Sequence, residues 1–221
     1  DFLRAGHDEF GDCGNNGIMF TGIGGAIGSR NNKIYNNTVV QASAASWSFN
    51  IYMDWINPGG EPVGNKLLNN ILYHYGDKTL NVDSSAFTNF QSDYNVVMNT
   101  FGINDGATQE TLAQWRTRGY DTHSIQAADT ALFVNPSGHD FHLKAGSPAI
   151  NAGTSSVSAD VADDLEGNSR PQGGAYDIGC YESGGAPADL VITTTSVPAG
   201  TVGTAYSQTV VATGGTTPYS W

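Results

Sequence analysis

The sequence predicts an all-β protein: a right-handed parallel β-helix with a short capping helix and an irregular C-terminal cap, followed by an incomplete β-sandwich module. Three observations carry this prediction. The composition is rich in turn-forming residues, a degenerate repeat places asparagine between short apolar segments, and the pattern changes twice toward the C-terminus.

The composition is that of a turn-rich β protein. Only 14% of the 221 residues are charged, whereas 28 are glycine, so Asn, Ser and Thr must solvate much of the surface. The formal net charge of -12 disfavours nucleic acid and anionic lipid as partners and makes a neutral glycan an easier partner than a charged one. No apolar run reaches the roughly 18 residues of a membrane span.

The repeat consists of an apolar segment, an asparagine at a bend and a second apolar segment. It occurs at residues 33–40, 66–73 and 92–97, with Asn37, Asn70 and Asn95 at matching positions. Stacked coils of a solenoid bury a continuous apolar column and let corner amides bond along the stack. We therefore predict that these asparagines form a ladder, and that a loop at 55–64 bulges from one edge.

A different pattern follows the coils. Thr108 is placed to N-cap a short helix that runs through Trp115, and Gly119 is placed as its left-handed stop. Such a helix would shield the open edge of the last coil. Three short apolar segments, at 131–134, 141–143 and 147–150, are expected to be irregular terminal strands.

The C-terminal stretch predicts a second module. Residues 190–195 and 205–212 have the pattern of two strands, but some 35 residues are too few for a sandwich of about seven strands. The chain also opens within an ongoing repeat pattern, so we expect further coils upstream. The predicted organisation is coils at 1–105, a cap at 106–182, a linker at 183–188 and a partial module at 189–221.

The chain contains two cysteines, Cys13 and Cys180. Two are too few for a disulfide framework or for the four close ligands of a zinc site. They form either one long-range bridge or two buried thiols, and the sequence leaves both alternatives open.

Four motifs stand in the cap: Thr111-Leu-Ala-Gln-Trp115, the stretch from Asp140 to Gly153, the stretch from Asp164 to Pro171, and Asp177-Ile-Gly-Cys-Tyr-Glu182. They resemble the C-terminal end of bacterial secreted right-handed β-helix proteins of the pectate-lyase-like superfamily, a surface-anchored type. The resemblance spans about residues 90–182. It implies an extracellular or cell-surface location and polysaccharide chemistry or adhesion, without supplying an active site.

The stretch 190–221 is similar to the opening of the immunoglobulin-like repeats of large bacterial surface proteins, which makes the second module an incomplete immunoglobulin-like β-sandwich. The relatives carry a small residue at the position of Cys180. This departure favours the paired alternative for that cysteine.

The sequence offers only weak candidates for catalytic residues. Asp8, Glu9 and Asp12 cluster near the start of the chain, and glycoside hydrolysis uses paired carboxylates about 5–10 Å apart. A solvated loop explains them better. A lyase needs a basic residue near the sugar, but none of Arg4, Arg30, Lys33 and Lys66 stands beside a dense Asp cluster that would hold calcium.

Aromatic residues near the bulging loop are the candidate glycan contacts. Trp47, Tyr52, Asp54 and Trp55 combine ring faces with a carboxylate, which suits stacking and hydrogen bonding to a sugar. Some of these aromatics are expected to serve packing instead, because the alternation around 49–53 indicates a strand that needs cover on both faces.

Metal binding is the last candidate chemistry. His139 and His142 fall on opposite faces of a strand, which argues against a metal site. Asp164, Glu166 and Asp177 offer oxygen ligands for calcium. We favour an ion pair between Arg170 and Asp177 over this calcium site, and we predict no other cofactor.

Taken together, the residues predict an extracellular or cell-surface β-helix protein that binds a polysaccharide and, as an extension of that role, processes it. A noncatalytic structural or adhesive module that self-associates through its C-terminal strands is the alternative. A third reading is a polysaccharide lyase or glycoside hydrolase whose site lies mostly on upstream coils.

Overall fold

The computed structural model describes residues 17–20, 29–41, 49–53, 61–184 and 191–213. Short strands predominate over helices in these ranges. The chain divides into two compact units, Asp1–Gly184 and Gly185–Trp221, and the division falls within the segment expected to be a linker. Each unit is described by itself.

The first unit contains twelve strands and two short α-helices within its described ranges. The strands are β1 (Ile18–Phe20), β2 (Lys33–Tyr35), β3 (Thr38–Gln41), β4 (Ile51–Met53), β5 (Lys66–Leu68), β6 (Ile71–His74), β7 (Lys78–Val82), β8 (Gln91–Asp93), β9 (Thr100–Ile103), β10 (Thr108–Thr111), β11 (Phe133–Asn135) and β12 (Asp140–Leu143), and the helices are α1 (Leu112–Thr117) and α2 (Asp129–Leu132).

Successive strands enter three sheets in rotation. The first sheet has the order β1-β4-β7-β9-β10, the second β2-β5-β8 and the third β3-β6. Pairing within them is parallel except between β9 and β10. Parallel bridges from Ile71 to Val96 and from Val96 to Ile125 extend the third sheet by two further levels. Each pass through the three sheets is therefore one coil stacked on the previous one.

The inward side chains form one apolar column. On the first sheet, residues in register stack through the coils, as in the run Ile51, Leu80 and Phe101. These three side chains are completely buried and belong to the main core cluster. Stacking like residues on equivalent positions buries apolar area continuously, which no single coil achieves alone.

A ladder of asparagine amides runs beside this column at the bend between the second and third sheets. The backbone and side-chain amides of Asn37 donate to Oδ1 of Asn70 at 3.0 and 3.1 Å. Those of Asn70 donate to Oδ1 of Asn95 at 2.8 and 3.2 Å. Asn70 also donates to the carbonyl of Ile34 at 2.8 Å, and Asn95 to that of Leu67 at 3.0 Å. The ladder thus ties each coil to its neighbours.

The ladder ends on Asp121, which is fully buried. Ser124 takes the asparagine position in the fourth coil, where its hydroxyl accepts from the Asn95 backbone at 2.8 Å. Asp121 Oδ1 accepts from Ser124 at 2.6 Å and from the Asn95 amide at 3.1 Å. Its Oδ2 accepts from Ser92 at 2.7 Å and from the Trp115 indole at 2.9 Å. Burial raises the pKa of this carboxyl, and the four hydrogen bonds act in the opposite direction.

The helix α1 closes the end of the column. Thr111 caps it through a capping box with Gln114, so the helix begins three residues later than expected, because residue Thr108 opens β10 instead. Gly119 follows the helix with a φ of 90°. The buried Trp115 ring stacks on Phe101 at 4.9 Å between centroids. The helix therefore covers the last coil, as its position in the sequence suggested.

The rest of the cap lies along the outside of the third sheet. The antiparallel pair β11-β12 and the segment after it pack on the outward side chains of that sheet and form a second apolar cluster. Gly179 has a φ of 105°, and a Cβ there would lie 2.7 Å from the Ile71 side chain. The segments 131–134, 141–143 and 147–150 were expected to be irregular terminal strands. Of the three short segments, 141–143 lies within β12 and 131–134 is divided between α2 and β11, whereas 147–150 forms a turn. Together they cover the side of the coils.

The second unit has two short strands within its described range, β13 (Val191–Ile192) and β14 (Ala212–Thr213), which pair antiparallel. They are shorter than the two strands expected at 190–195 and 205–212. No helix in the described parts of either unit is both long and apolar enough to span a bilayer.

We predict that Asn70→Ala lowers the free energy of unfolding by about 1–3 kcal/mol, because the change removes the acceptor of the Asn37 backbone amide and the buried side-chain bonds to the Ile34 carbonyl and to Asn95. Chemical denaturation of the purified chain measures this loss. Gln126→Ala is the control, since Gln126 is exposed and its loss should cost less than about 0.5 kcal/mol. Equal midpoints for the two variants would contradict a structural role for the ladder.

Candidate functional site

The residue before each ladder asparagine stands in the left-handed backbone region. Asn36, Asn69 and Tyr94 have φ values of 53°, 59° and 55°. Asparagine tolerates this conformation, whereas for a bulky residue it costs about 1–2 kcal/mol. Tyr94 is therefore the strained member of a column whose other two members are matched to their positions.

The first two of these corner residues hold the cap against the coils. The Asn36 amide donates to the carbonyl of Asp177 at 2.9 Å. Asn69 donates to the carbonyl of Thr154 at 2.9 Å and accepts from its backbone amide at 2.8 Å. These bonds place the loop after Gly153 beside the second sheet and leave it facing Tyr94.

Two adjoining cavities open where the third corner meets this loop. Their volumes are about 570 and 310 Å³, both within the range of small-ligand sites. Tyr94 and Thr154 line both cavities, so we treat them as one feature and call it the corner groove. Its lining residues are Leu68, Phe90, Gln91, Ser92, Asp93, Tyr94, Gly119, Tyr120, Gly153, Thr154, Ser155, Ser156, Ser158, Ala162, Arg170, Pro171, Gly174, Ala175 and Tyr176.

The aromatic wall of the corner groove is held rigidly. The Tyr94 ring stacks on the His123 imidazole with centroids 4.7 Å apart and planes 8° apart. Asp93 fixes both partners: it accepts from the Tyr94 backbone at 2.9 Å and from the His123 backbone at 2.7 Å, and its Oδ2 lies 2.7 Å from Nδ1 of the imidazole. A ring positioned in this way loses little conformational entropy when it contacts a ligand.

The opposite wall is rich in hydroxyl groups. Thr154, Ser155, Ser156 and Ser158 lie on one short turn, and the three serines are exposed. Thr154 bonds to Ser156, while the Ser155 and Ser158 hydroxyls make no hydrogen bond within the described ranges. Hydroxyl groups both donate and accept, so this wall offers hydrogen bonds to a polyhydroxylated ligand.

A buried ion pair supports the groove from behind. The Arg170 guanidinium lies 2.7 Å from a carboxylate oxygen of Glu182, and the two side chains are 1% and 0% exposed. The expected partner, Asp177, contributes its carbonyl instead, while its carboxylate accepts from Asn151 and Ser183. Burial raises the pKa of Glu182, and Arg170 acts against that shift. The pair is present, but with a different carboxylate from the one predicted.

The predicted glycan contacts are not part of the corner groove where the structure describes them. Tyr52 lies on the outer face of the first sheet, where its hydroxyl bonds to Asp105 and its ring tilts against Phe49. The other candidates lie outside the described residues: Trp47, Asp54 and Trp55 for binding, Asp8, Glu9 and Asp12 for catalysis, and Cys13 for a bridge.

Calcium candidates in the cap are occupied with local hydrogen bonds. Asp164 accepts from the backbones of Glu166 and Asn168, and Asp177 accepts as given above. Within the described ranges, no group of three or more His, Cys, Asp or Glu side chains is arranged to hold a metal ion. The structure therefore does not bring Asp164, Glu166 and Asp177 together as a calcium site.

Cys180 carries a buried free thiol. Its backbone amide donates to Thr38 at 3.1 Å, which fixes the end of the cap on the third sheet. Burial raises the pKa of the thiol, so it is held in its neutral form. In this structure the residue is a packing element and not half of a bridge.

His142 joins three parts of the cap. Its Nδ1 lies 2.6 Å from Asp140, its Nε2 lies 3.1 Å from Glu166, and its ring stacks on Tyr181 at 4.0 Å. Carboxylates only accept, so both contacts are hydrogen bonds only when the imidazole is protonated. The bond to Asp140, followed by that to Glu166, raises the pKa of His142, and the same bond lowers the pKa of Asp140.

The aromatic centre of the corner groove was missed in the sequence, although a signal was present. Aligning the repeats on the ladder asparagines places Asn36 and Asn69 in one column with Tyr94. The change from a residue that suits a left-handed corner to a tyrosine is the signal, because strained backbone positions of this kind cluster at functional sites. The hydroxyl wall had no such signal, because the loop at 153–158 is distant from Tyr94 in sequence.

We predict that replacing His142 by Gln destabilises the first unit in mild acid and has a smaller effect in alkali. A histidine whose pKa rises on folding stabilises the fold fully below its unfolded value, near about 6.5, and this contribution is lost as the pH rises through the folded value. Thermal denaturation at about pH 5.5 and about pH 8.5 measures the difference. His139→Asn is the control, since Asn suits the φ of 61° at that position. A His142→Gln effect that does not decrease with rising pH would contradict the prediction.

Comparisons with protein-family models, with curated proteins and with solved structures find no match to this chain. The likeness to secreted β-helix proteins noted in the sequence therefore stays a prediction, and the function has to be argued from the corner groove.

Proposed function

We propose that this chain is part of a right-handed parallel β-helix of a secreted or cell-surface protein, and that it binds a polysaccharide in the corner groove. The second unit, in this proposal, is the opening of an immunoglobulin-like module. Catalysis is not required for this role.

The stacking pattern supports the fold part of the proposal. Parallel strands enter three sheets in rotation, and the asparagine ladder joins equivalent positions of neighbouring coils. Parallel crossovers of this kind are right-handed in nearly all proteins. Extended binding surfaces along the stacked coils are the usual functional feature of solenoids.

The single observation that carries the function is the strained Tyr94 between the two cavities. Strain in a left-handed corner persists only when something compensates for it, and it clusters at ligand sites. Tyr94 lines both cavities and is fixed by His123 and Asp93. An aromatic face opposite a row of hydroxyls suits a sugar ring, which has apolar faces and a polar rim.

The corner groove supports binding more than hydrolysis. Among its lining residues the only carboxylate is that of Asp93, whereas glycoside hydrolysis ordinarily uses two carboxyl groups about 5–10 Å apart. Asp93 is also occupied with His123. We therefore propose a glycan-binding surface and assign no reaction to it.

A second candidate function is self-association through the C-terminal unit, which would make the chain an adhesive or structural module. Its short β13-β14 pair leaves several apolar side chains at least 50% exposed, among them Ile192, Val197 and Val211. Exposed strand edges next to apolar side chains recruit further strands.

We expect Tyr94→Asn to weaken binding of the recognised polysaccharide at least about tenfold, which corresponds to about 1.4 kcal/mol, because the aromatic wall is lost. The substitution restores the residue type of the other two corners. The free energy of unfolding should change by less than about 1 kcal/mol, since relief of about 1–2 kcal/mol of strain offsets the lost ring stacking. Binding is measured on a panel of neutral and acidic polysaccharides by affinity electrophoresis, and stability by denaturation.

Tyr75→Asn is the matched control for this experiment. Tyr75 is 49% exposed, lies outside both cavities and bonds to Asp129, so the same change of side chain there should leave binding intact. Wild-type affinity in the Tyr94→Asn variant, or a wild-type chain that binds no glycan of the panel, would overturn the proposed function.

The self-association candidate has a separate test. Light scattering on the whole chain and on a chain lacking residues 186–221 should show an assembly that disappears with the deletion. An assembly of unchanged size after the deletion would refute strand exchange through this unit.

A further inference from the structure

We propose that the corner groove selects uncharged glycans and rejects chains that carry carboxylate or sulfate groups. This inference rests on the proposed function and adds the chemical class of the ligand. It follows from how the charged groups around Tyr94 are already used.

Only two of the lining residues are charged, Arg170 and Asp93, and both are fully engaged by the protein. The Arg170 guanidinium binds Glu182 at 2.7 Å and donates to the carbonyls of Gly179 at 2.9 Å and Asp177 at 3.4 Å. Its side chain is 1% exposed. It therefore cannot turn toward an anionic ligand without breaking a buried ion pair, which is strongly unfavourable.

The Asp93 carboxylate disfavours the binding of anionic groups in the groove. Its two oxygens are held by the backbones of Tyr94 and His123, by the His123 imidazole and, at 3.3 Å, by the Thr122 hydroxyl. A uronate that stacked on the adjacent ring would bring a second carboxylate beside this one. Like charges at short distance repel, and an acid without a cationic partner loses its hydration on entering the groove.

Two lysines lie near the groove, and neither of them lines it. Lys33, on the outer face of β2, is bound to Asp160 through both carboxylate oxygens at 2.6 and 2.8 Å. Lys66 makes no ion pair within the described ranges. It lines neither cavity and lies two residues before Leu68 on β5. Within the part of the chain that the structure describes, Lys66 is a cation near the groove that would attract an acidic chain running past it, so the experiment addresses it directly.

The groups that remain free suit a neutral sugar. The lining offers the Tyr94 ring, the hydroxyls of Ser155 and Ser158 and the amide of Gln91, which are uncharged donors and acceptors. The formal net charge of -12 adds a long-range repulsion of anions that salt would screen.

The test compares one oligosaccharide in two charge states. A neutral oligosaccharide of the type bound in the panel, and the same chain after oxidation of its primary hydroxyls to carboxylates, are titrated into the whole protein by calorimetry. We expect the oxidised chain to bind at least about tenfold more weakly, equal to about 1.4 kcal/mol. The gap should narrow but persist at high salt, because salt screens the field of the whole protein more than the contact with Asp93.

Asp93→Asn separates the local charge from the net charge. The amide keeps an oxygen for the two backbone donors. Because Asp93 also holds the aromatic wall, the readout is the ratio of the affinities for the neutral and the oxidised chain, and this ratio should shrink by several-fold. Asp129→Asn removes the same charge outside both cavities. It should leave the ratio of the affinities for the neutral and the oxidised chain as in the wild type. An equal effect of both substitutions would assign the selectivity to net charge and overturn the role of the groove.

Failure of this inference can be told apart from failure of the proposed function. Equal or tighter binding of the oxidised chain, or a panel in which only acidic polysaccharides bind, overturns the selectivity while leaving glycan binding at the groove in place. Loss of acidic-chain binding in Lys66→Ala would show that a cation outside the groove governs recognition, and this too would overturn the inference. A chain that binds neither form overturns the proposed function itself.

Discussion

The rest of the first unit depends on the asparagine ladder and on the way it ends. The Oδ1 atoms of Asn70 and Asn95 each accept two hydrogen bonds, one from the backbone and one from the side-chain amide of the ladder asparagine in the preceding coil. A row of this kind has a direction, so its last member needs a partner that only accepts. Asp121 is that partner. Its four side-chain contacts are all donors, and a carboxylate is the one small side chain with two oxygens to receive them. Burial raises the pKa of this carboxyl, and the four donors act against that shift, so they favour the charged form that accepts from them.

The same ending connects the polar ladder to the apolar column. The Trp115 indole donates to Asp121 while its ring stacks on Phe101 and closes the last coil. One side chain thereby completes the hydrogen bonding and covers the open end of the core. The bend beside the ladder also determines which residues face outward, because the residue before each ladder asparagine lies in the left-handed backbone region. Two of these corner residues are asparagines that hold the cap, and the third is Tyr94, whose ring lines the corner groove.

In the column of corner residues formed by Asn36, Asn69 and Tyr94, the tyrosine lowers stability at a surface position. Asn36 and Asn69 suit their backbone conformation and add hydrogen bonds to the cap, whereas Tyr94 does neither. Its ring instead packs on His123, which the next coil supplies at the equivalent level. The groove is thus assembled from two coils and a returning loop, and its two charged side chains are already engaged by other protein groups.

The sequence by itself determined that short strands predominate over helices, and it located the column of ladder asparagines, because equivalent residues recur at matched positions of the repeat. It also located the helix that closes the column, since capping residues act within a few positions of one another, although β10 displaced its start. Tertiary structure alone decided where the cap lies, that Arg170 pairs with Glu182 and not with Asp177, and that Thr154 faces Tyr94. These contacts join segments far apart in sequence. Many pairings of similar side chains satisfy the local pattern equally well, and only the packing of the cap on the third sheet selects among them.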